Sequence, residues 1–159
     1  MRILVFSDTH GDVNGARRAM KNIGKFDVVF HLGDYESDVH QLMKGWEHIP
    51  VYRVRGNCDT MSDAPMDLTV TLEGVTFFLT HGHRYNIRTD RKLIAQKAKE
   101  VGASYALYGH LHITDDSMED GIHLFSPGSP SYPRGSEPAF GVIEIENNKA
   151  SSMICDYMI

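Results

Sequence analysis

The chain opens on an unbroken apolar run at residues 3–6, the pattern of a strand buried on both faces of a parallel sheet. The period then changes. Val13, Ala16, Met20 and Ile23 recur at helical spacing, with Asp12 as the N-cap and Gly24 as the C-cap. Val28, Val29 and Phe30 predict a second buried strand. Ser37 caps a short helix whose Val39, Leu42, Met43 and Trp46 share one face, and residues 51–54 form a third strand. This β-α-β-α-β order is that of right-handed crossovers onto a parallel sheet.

From Leu68 the pattern alternates. Leu68, Val70 and Leu72 are separated by Thr69 and Thr71, as in a half-solvated strand, and Glu73-Gly74 turns the chain into residues 75–79 to complete a hairpin. Thr89 or Asp90 opens a helix that carries Leu93, Ile94, Ala98 and Val101 and stops at Gly102. Residues 105–108 read as a strand and 126–130 (Ser-Pro-Gly-Ser-Pro) as a loop. Residues 142–145 read as a strand turning at Asn147-Asn148, and 150–157 as the last strand. No repeat, low-complexity tract or long linker interrupts the 159 residues, a length that suits one domain spanning 1–159. The expected class is α/β, with two packed mixed β-sheets and helices outside.

The chemistry lies where the strands end. Residues 3–6 run into Ser7-Asp8-Thr9-His10, 28–32 into Gly33-Asp34, and 51–55 into Gly56-Asn57-Cys58-Asp59. Residues 75–80 run into His81-Gly82-His83, and 105–108 into Gly109-His110-Leu111-His112. Ligands bind at the carboxyl ends of strands in α/β folds, so the five stretches are expected to converge on one cleft. Carboxylate, amide and imidazole donors suit divalent Mn, Fe, Zn, Co or Ni rather than a thiolate site. Asp8, His10, Asp34, Asn57, His81, His110 and His112 are too many ligands for one catalytic metal with an open position. They suit two metals about 3.5–4 Å apart, bridged by a carboxylate and a water-derived hydroxide. Asp34 is the expected bridge. His110 and His112 would share a face on a regular strand, but at a turning strand end they are expected to diverge toward different metals.

Composition sharpens this picture at two points. Nine His stand against two Cys, and Cys58 and Cys155 form no CxxC pair, so they read as reduced thiols in the cytosol. The net charge of −5 recommends neither a bulk nucleic-acid surface nor an anionic membrane. Two dications against two carboxylates and a hydroxide would still leave about +1 locally, enough to attract a phosphate. No stretch approaches the ~20 apolar residues of a membrane span, and the first apolar run is too short for a signal peptide, so the expected location is cytoplasmic. The implied reaction is phosphoester hydrolysis by in-line attack of hydroxide held on the metals. The sequence has no Gly-x-x-x-x-Gly-Lys-Ser/Thr loop, no Gly-x-Gly-x-x-Gly after the first strand, and no Gly-x-Ser-x-Gly around Ser7, Ser126 or Ser129. His31, His40, His48 and His123 read as core or surface residues. His83 stays open between coordination and orienting a ligand or substrate.

The order Asp-x-His, Gly-Asp, Gly-Asn-x-Asp, His-Gly-His, Gly-His-x-His resembles the calcineurin-like metallophosphoesterase superfamily, over nearly the whole chain. The resemblance implies an αββα sandwich, two mixed β-sheets flanked by helices, holding a dinuclear centre, with manganese or nickel as the usual assay metals; Mg stays open as well. It places Asp8, His10, Asp34 and His112 on one metal and Asp34, Asn57, His81 and His110 on the other. Gly56-Asn57-Cys58-Asp59, the Ser126-Pro127-Gly128-Ser129 loop and Arg134 are similar to the small bacterial and archaeal single-domain phosphodiesterases. Cys58 stands where many superfamily members have a His that assists the leaving group. A neutral thiol donates a proton less readily near pH 7 than an imidazolium, so esters with good leaving groups are expected to be favoured. Ser126 stands where that branch commonly has Asn. Asn57, Cys58 and Arg134 are the candidate substrate contacts, with Arg134 open between a phosphate contact and an exposed salt bridge. The expected function is a metal-dependent phosphodiesterase acting on a small phosphoester. A phosphomonoesterase with the same centre and a non-catalytic interaction scaffold of the same fold, as in the eukaryotic retromer subunit, are the alternatives. Self-association stays open.

Overall fold

The computed structural model describes residues 1–157 and alternates strand and helix through its first half. In chain order the elements are β1 (Arg2–Phe6), α1 (Asn14–Asn22), β2 (Val28–His31), α2 (Val39–Leu42), β3 (Val51–Arg53), β4 (Asp67–Leu72) and β5 (Val75–Thr80). There follow α3 (Lys92–Glu100), β6 (Tyr105–Leu107), β7 (Thr114–Glu119), β8 (Ile122–Pro127), β9 (Ala139–Glu146) and β10 (Lys149–Asp156). One five-stranded sheet has the order β10-β9-β1-β2-β3 and the other β4-β5-β6-β8-β7. Each is mixed. The triplets β1, β2, β3 and β5, β6, β8 run parallel within themselves, with antiparallel strands added at the sides.

Period-two alternation sorts the apolar side chains into layers. Ile3, Val5, Val28 and Phe30 of the first sheet meet Phe77, Leu79, Leu107 and Phe125 of the second in the central core. Phe30 and Phe77 touch across it, ring edge to face, with centroids 5.7 Å apart. The intervening Leu4, Phe6 and Val29 point outward, onto Ala16 and Met20 of α1 and Leu42 of α2. On the far side, Phe78, Ala106 and Leu124 pack on Ile94, Ala95 and Ala98 of α3. The result is the expected αββα order.

Four local readings are corrected. Val13, not Asp12, occupies the N-cap position of α1; the Asp12 carboxylate still accepts the Asn14 N–H at 3.0 Å. Asp90 likewise accepts the Lys92 N–H at 3.0 Å, but α3 begins at Lys92 and ends at Glu100. The expected helix from Ser37 to Trp46 is a 3-10 turn at Glu36–Asp38 followed by one α-turn, Val39–Leu42. The Trp46 N–H instead closes a turn onto Met43 O at 2.7 Å, with Gly45 at φ 95° between them. Trp46 keeps its apolar role against Phe26, 5.9 Å away, so tertiary packing rather than helical periodicity explains its position. Finally, Ser126 and Pro127 end a strand, β8, rather than lying in a loop. The hairpin β7–β8 turns on Asp120-Gly121, both at positive φ, but β7 (Thr-Asp-Asp-Ser-Met-Glu) carries no apolar alternation, its one apolar residue, Met118, being exposed. Its stability comes from β8, whose Leu124 and Phe125 are buried on opposite faces. His123 shows the same dependence on neighbours: it stacks on Tyr105 at 4.5 Å and bonds Asp116 and Ser152.

Candidate metal centre

The strand ends turn sharply where the polar stretches begin. Asp8, His10, Asp34, His110 and His112 all adopt left-handed backbone conformations, with φ between 46° and 69°. Asp and His tolerate that region better than most residues, yet each such residue costs on the order of 1–3 kcal/mol, which the surrounding structure must hold. The turns re-aim the side chains. His110 and His112, two apart, no longer share a face. The His112 ring lies 5.0 Å from the His10 ring, and the His110 ring 5.2 Å from the His81 ring.

Backbone and carboxylate contacts fix these turns. Asp59 Oδ2 accepts the N–H groups of Asp34 at 2.8 Å and Gly56 at 2.7 Å, and its Oδ1 accepts that of Glu36 at 3.1 Å. Asp38 Oδ2 accepts the Thr9 hydroxyl at 2.7 Å and the Gly11 N–H at 2.8 Å. The Ser129 hydroxyl donates to Asp8 O at 2.8 Å and the Ser131 hydroxyl to Thr9 O at 2.7 Å. The loop after β8 is therefore a buckle on the first ligand-bearing turn. Sequence reasoning did not assign these roles. Asp59 stands in the Gly-Asn-Cys-Asp motif, but nothing local shows which N–H groups it accepts.

Two glycines are dictated by close approach. A Cβ on Gly56 would lie 2.2 Å from Asp34 Oδ1, and one on Gly109 would lie 1.9 Å from Ser7 Oγ and 2.6 Å from Asp8 Oδ2.

Four donors converge. Asp8, His10, Asp34 and His112 each present an atom within 4.8 Å of the others. His112 Nε2 is 3.2 Å from Asp8 Oδ1 and 3.2 Å from His10 Nε2. His10 Nε2 is 3.8 Å from Asp34 Oδ2 and 4.0 Å from Asp8 Oδ1. The fully buried His81 faces the same carboxylates, its Nε2 3.4 Å from Asp34 Oδ1 and 3.9 Å from Asp8 Oδ1.

The remaining hydrogen bonds dispose these atoms toward a cation. Asp8 Oδ2 accepts the Ser7 hydroxyl and the His110 N–H, leaving Oδ1 buried with no hydrogen-bond partner. His81 Nδ1 donates to Leu32 O at 2.8 Å and His112 Nδ1 to Tyr132 O at 2.6 Å. Those bonds fix the tautomer and turn each Nε2 lone pair toward a carboxylate. His81 Nε2, like Asp8 Oδ1, is buried without a hydrogen bond. Lone pairs facing carboxylate oxygens across 3–4 Å need a positive charge between them. The residues present thus fit a divalent ion of the kind that accepts oxygen and nitrogen donors.

Without an ion, protons answer the same demand. Burial lowers the His81 pKa, but Asp34 and Asp8 overcome it and hold the group above its ordinary value. The Asp8 carboxylate facing it raises His112. Burial pushes the Asp34 carboxyl up, but His81 and the Cys58 N–H outweigh it and hold the carboxyl well below the usual range. His110 goes the other way, pulled down to about 4 by burial and by the charges of His81 and Arg88.

The other expected residues take distinct places. Asn57 is exposed and its side-chain amide meets Cys58 Sγ at 3.5 Å. The Cys58 N–H donates to Asp34 Oδ1 at 2.9 Å, while burial and Asp34 push its thiol up to about 11. The thiol is neutral at pH 7. Arg134 bonds His112 O through its own N–H at 2.9 Å and lines an open cleft of about 440 Å³ with His10, Tyr35, His112, Tyr132 and Pro133. His83 is half-buried, with Nδ1 unpartnered, 5.4 Å from the His81 ring. Ser126 donates to Ile113 O at 2.8 Å, behind the His110–His112 turn.

The fold and the donor set define a class: a two-sheet α/β sandwich with an Asp/His metal-binding cleft at the carboxyl ends of its strands. The chain belongs to the calcineurin-like phosphoesterase superfamily, whose domain model matches residues 1–148. It is 28% identical over 159 residues to the probable metallophosphoesterase YsnB of Bacillus subtilis, covering 98% of this chain and 91% of that protein. It is 29% identical over 170 residues to the phosphodiesterase YfcE of Escherichia coli K12, covering 91% and 88%. A crystal structure of a predicted phosphoesterase from Streptococcus pneumoniae TIGR4 superposes with a TM-score of 0.79 at 31% identity, covering 98% and 89%. Vps29 of Entamoeba histolytica, solved with zinc, shares the fold at a TM-score of 0.78 and 19% identity, covering 99% of each chain. No helix among the described residues is long and apolar enough to cross a membrane.

Proposed function

We propose that the protein is a metal-dependent phosphodiesterase that hydrolyses a small phosphoester by in-line attack of water at a dinuclear centre. The observation that carries this reading is the split presentation of Asp34, with Oδ2 toward His10 at 3.8 Å and Oδ1 toward His81 at 3.4 Å. A carboxylate so placed suits two adjacent ions. Asp8, His10, Asp34 and His112 would hold one, and Asp34, Asn57, His81 and His110 the other. Two divalent ions, manganese foremost, would acidify a water and neutralise charge on the phosphoryl oxygens.

The chain's own residues supply the rest. The Tyr132 and Leu32 carbonyls hold His112 and His81 in the coordinating tautomer. Arg134, which lines the cleft with His10 and His112, would meet a phosphate oxygen, and Asn57 and Cys58, whose backbone N–H reaches Asp34, would be further substrate contacts. The neutral Cys58 thiol is a poor proton donor to a departing alkoxide, so diesters with acidic leaving groups suit the site. The reading extends to one domain over residues 1–159 in a reducing, cytoplasmic setting. Both cysteines are free thiols.

The test is hydrolysis of an activated aryl diester by manganese-loaded protein beside Asp34→Asn. The native protein is expected to turn over and the variant to fall to background; undiminished activity in the variant would overturn the two-metal reading. The diester-to-monoester rate ratio decides against a phosphomonoesterase. Metal uptake without turnover of either ester would leave the protein an interaction scaffold.

A further inference from the structure

The chain from Gly82 to Arg91 forms a fixed shelf beside the donor set. Ile87 is buried and sits so close to Gly82 that a Cβ there would lie 2.6 Å from Ile87 Cδ1. The Tyr85 hydroxyl donates to Asp67 Oδ2 at 2.7 Å. Arg91 donates from Nη1 to Ile87 O at 2.8 Å and from Nε to the Tyr108 hydroxyl at 3.0 Å. The Thr89 N–H closes a turn onto Asn86 O at 2.9 Å, with Asn86 at φ 52°. Arg88 rides on this turn, exposed.

The two arginines of the shelf differ in what holds them. Arg91 is engaged by Ile87, by Tyr108 and by Asp115, 3.7 Å from its Nε. Arg88 pairs with no carboxylate among the described residues. Its one polar partner there is an expected metal ligand, His110, whose Nε2 lies 3.4 Å from Arg88 Nη2. His110 belongs to the His81 half of the donor set, with rings 5.2 Å apart, whereas Arg134 lines the cleft with His10 and His112. Each half of the site therefore has its own guanidinium.

An ion on His110 would remove the partner of Arg88, whichever ring nitrogen coordinates. If Nε2 coordinates, its lone pair is taken; if Nδ1 coordinates, Nε2 carries the ring proton and is itself a donor. Either way Nη2 loses its acceptor, and a guanidinium with free N–H groups stands beside a dication. Two neighbouring cations are reconciled by an anion between them. We propose that Arg88 is a second phosphate anchor, its N–H groups taking the non-bridging oxygens of the substrate phosphate on the His110 side of the metal centre. The proposal rests on the metallophosphoesterase reading and adds a substrate-binding residue to its site. A planar guanidinium can meet two phosphate oxygens at once, whereas an ammonium acts as a point charge, so the fork and the charge can be tested apart.

The test is the binding of inorganic phosphate to manganese-loaded protein, measured by titration calorimetry. Arg88→Ala is expected to weaken phosphate binding about tenfold or more, and Arg88→Lys about threefold. Arg84→Ala is the control, because Arg84 lies on the same shelf but meets Met66 Sδ, at 3.4 Å, rather than a metal donor. It should leave phosphate affinity at its native value. Manganese affinity without phosphate should be equal or tighter in Arg88→Ala, since a positive charge leaves the neighbourhood of the ion. Thermal melting checks that each variant folds.

Unchanged phosphate affinity in Arg88→Ala, or an equal fall in Arg84→Ala, would overturn the proposal. A loss of manganese affinity in Arg88→Ala would also overturn it, making Arg88 a support for His110 instead. The two readings fail separately. Diester turnover with phosphate binding indifferent to Arg88 removes this inference alone, whereas Arg88-dependent phosphate binding without turnover removes the catalytic reading.

Discussion

Asp59 accepts the backbone N–H of Asp34 at 2.8 Å, and through that bond a residue outside the expected ligand set fixes one at its centre. The same carboxylate accepts the Gly56 and Glu36 N–H groups, tying the turn after β3 to the turn after β2. Hydrogen bonds to a charged acceptor contribute about 1.5–3 kcal/mol, and stranded donors add to the loss. Asp59→Ala is expected to destabilise the protein by about 3 kcal/mol in urea unfolding and to weaken metal binding, with Asp59→Asn intermediate. Unchanged stability and metal affinity in the Ala variant would show that the clamp is dispensable.

Gly56→Ala and Gly109→Ala test the close approaches directly. Each methyl would occupy space held by a ligand carboxylate or its supporting hydroxyl, at 2.2 Å from Asp34 Oδ1 and 1.9 Å from Ser7 Oγ. The backbone must shift, so metal affinity measured by calorimetry is expected to fall at least tenfold, about 1.4 kcal/mol, in each. Gly45→Ala is the control for a destabilising glycine change away from the site, since Gly45, unlike Gly56 and Gly109, has positive φ and a Cβ there meets nothing within 4 Å. It should lower stability and leave metal affinity intact.

Metal should stabilise the fold as well as the reaction. Asp8 Oδ1 and His81 Nε2 are buried without hydrogen bonds, and an ion would satisfy both. Saturation to 100 times the dissociation constant adds about 2.7 kcal/mol of linkage. The melting temperature is therefore expected to rise with manganese and fall back with chelator. The rise should be lost in Asp8→Asn. A melting temperature indifferent to metal would argue that the donors do not bind one.

His31 carries the pH prediction. It is fully buried on β2, its Nδ1 accepts the Gly33 N–H at 3.3 Å and its Nε2 meets the Thr9 hydroxyl at 3.2 Å. Burial lowers its pKa below 6.5, so the folded protein keeps it neutral where the unfolded chain takes up a proton. More protons bound in the unfolded state mean that stability rises with pH. The contribution is intact above about 6.5 and is lost as pH falls below it, by at most about 1.4 kcal/mol per unit. Because His81 and His112 titrate in the opposite sense, the quantity to measure is the difference between native protein and His31→Gln, in chelator, at pH 7.5 and 5.5. The native advantage should shrink at the lower pH; a constant difference would refute it.

Much of this protein was legible before folding. Buried-strand runs at residues 3–6 and 28–30, the hairpin around Glu73-Gly74 and the helix before Gly102 are local patterns, and local patterns survive because each residue's period is set by its own element. The order of Asp, Asn and His motifs pointed to the family and to a metal site, since donor type is a property of the residue alone. Tertiary structure decided what depends on distant partners. The polar β7 is a strand only because β8 and its buried Phe125 give it an edge to pair with. Trp46 sits off any helix because Phe26 provides its contact. Asp59, Asp38 and Ser129 are ordinary polar residues in sequence, and they became the supports of Asp34, Thr9 and Asp8 only when loops 25 to 121 residues apart met. The sequence by itself determined which atoms can bind a metal; the fold decided which of those atoms face one another with nothing but a cation to reconcile them.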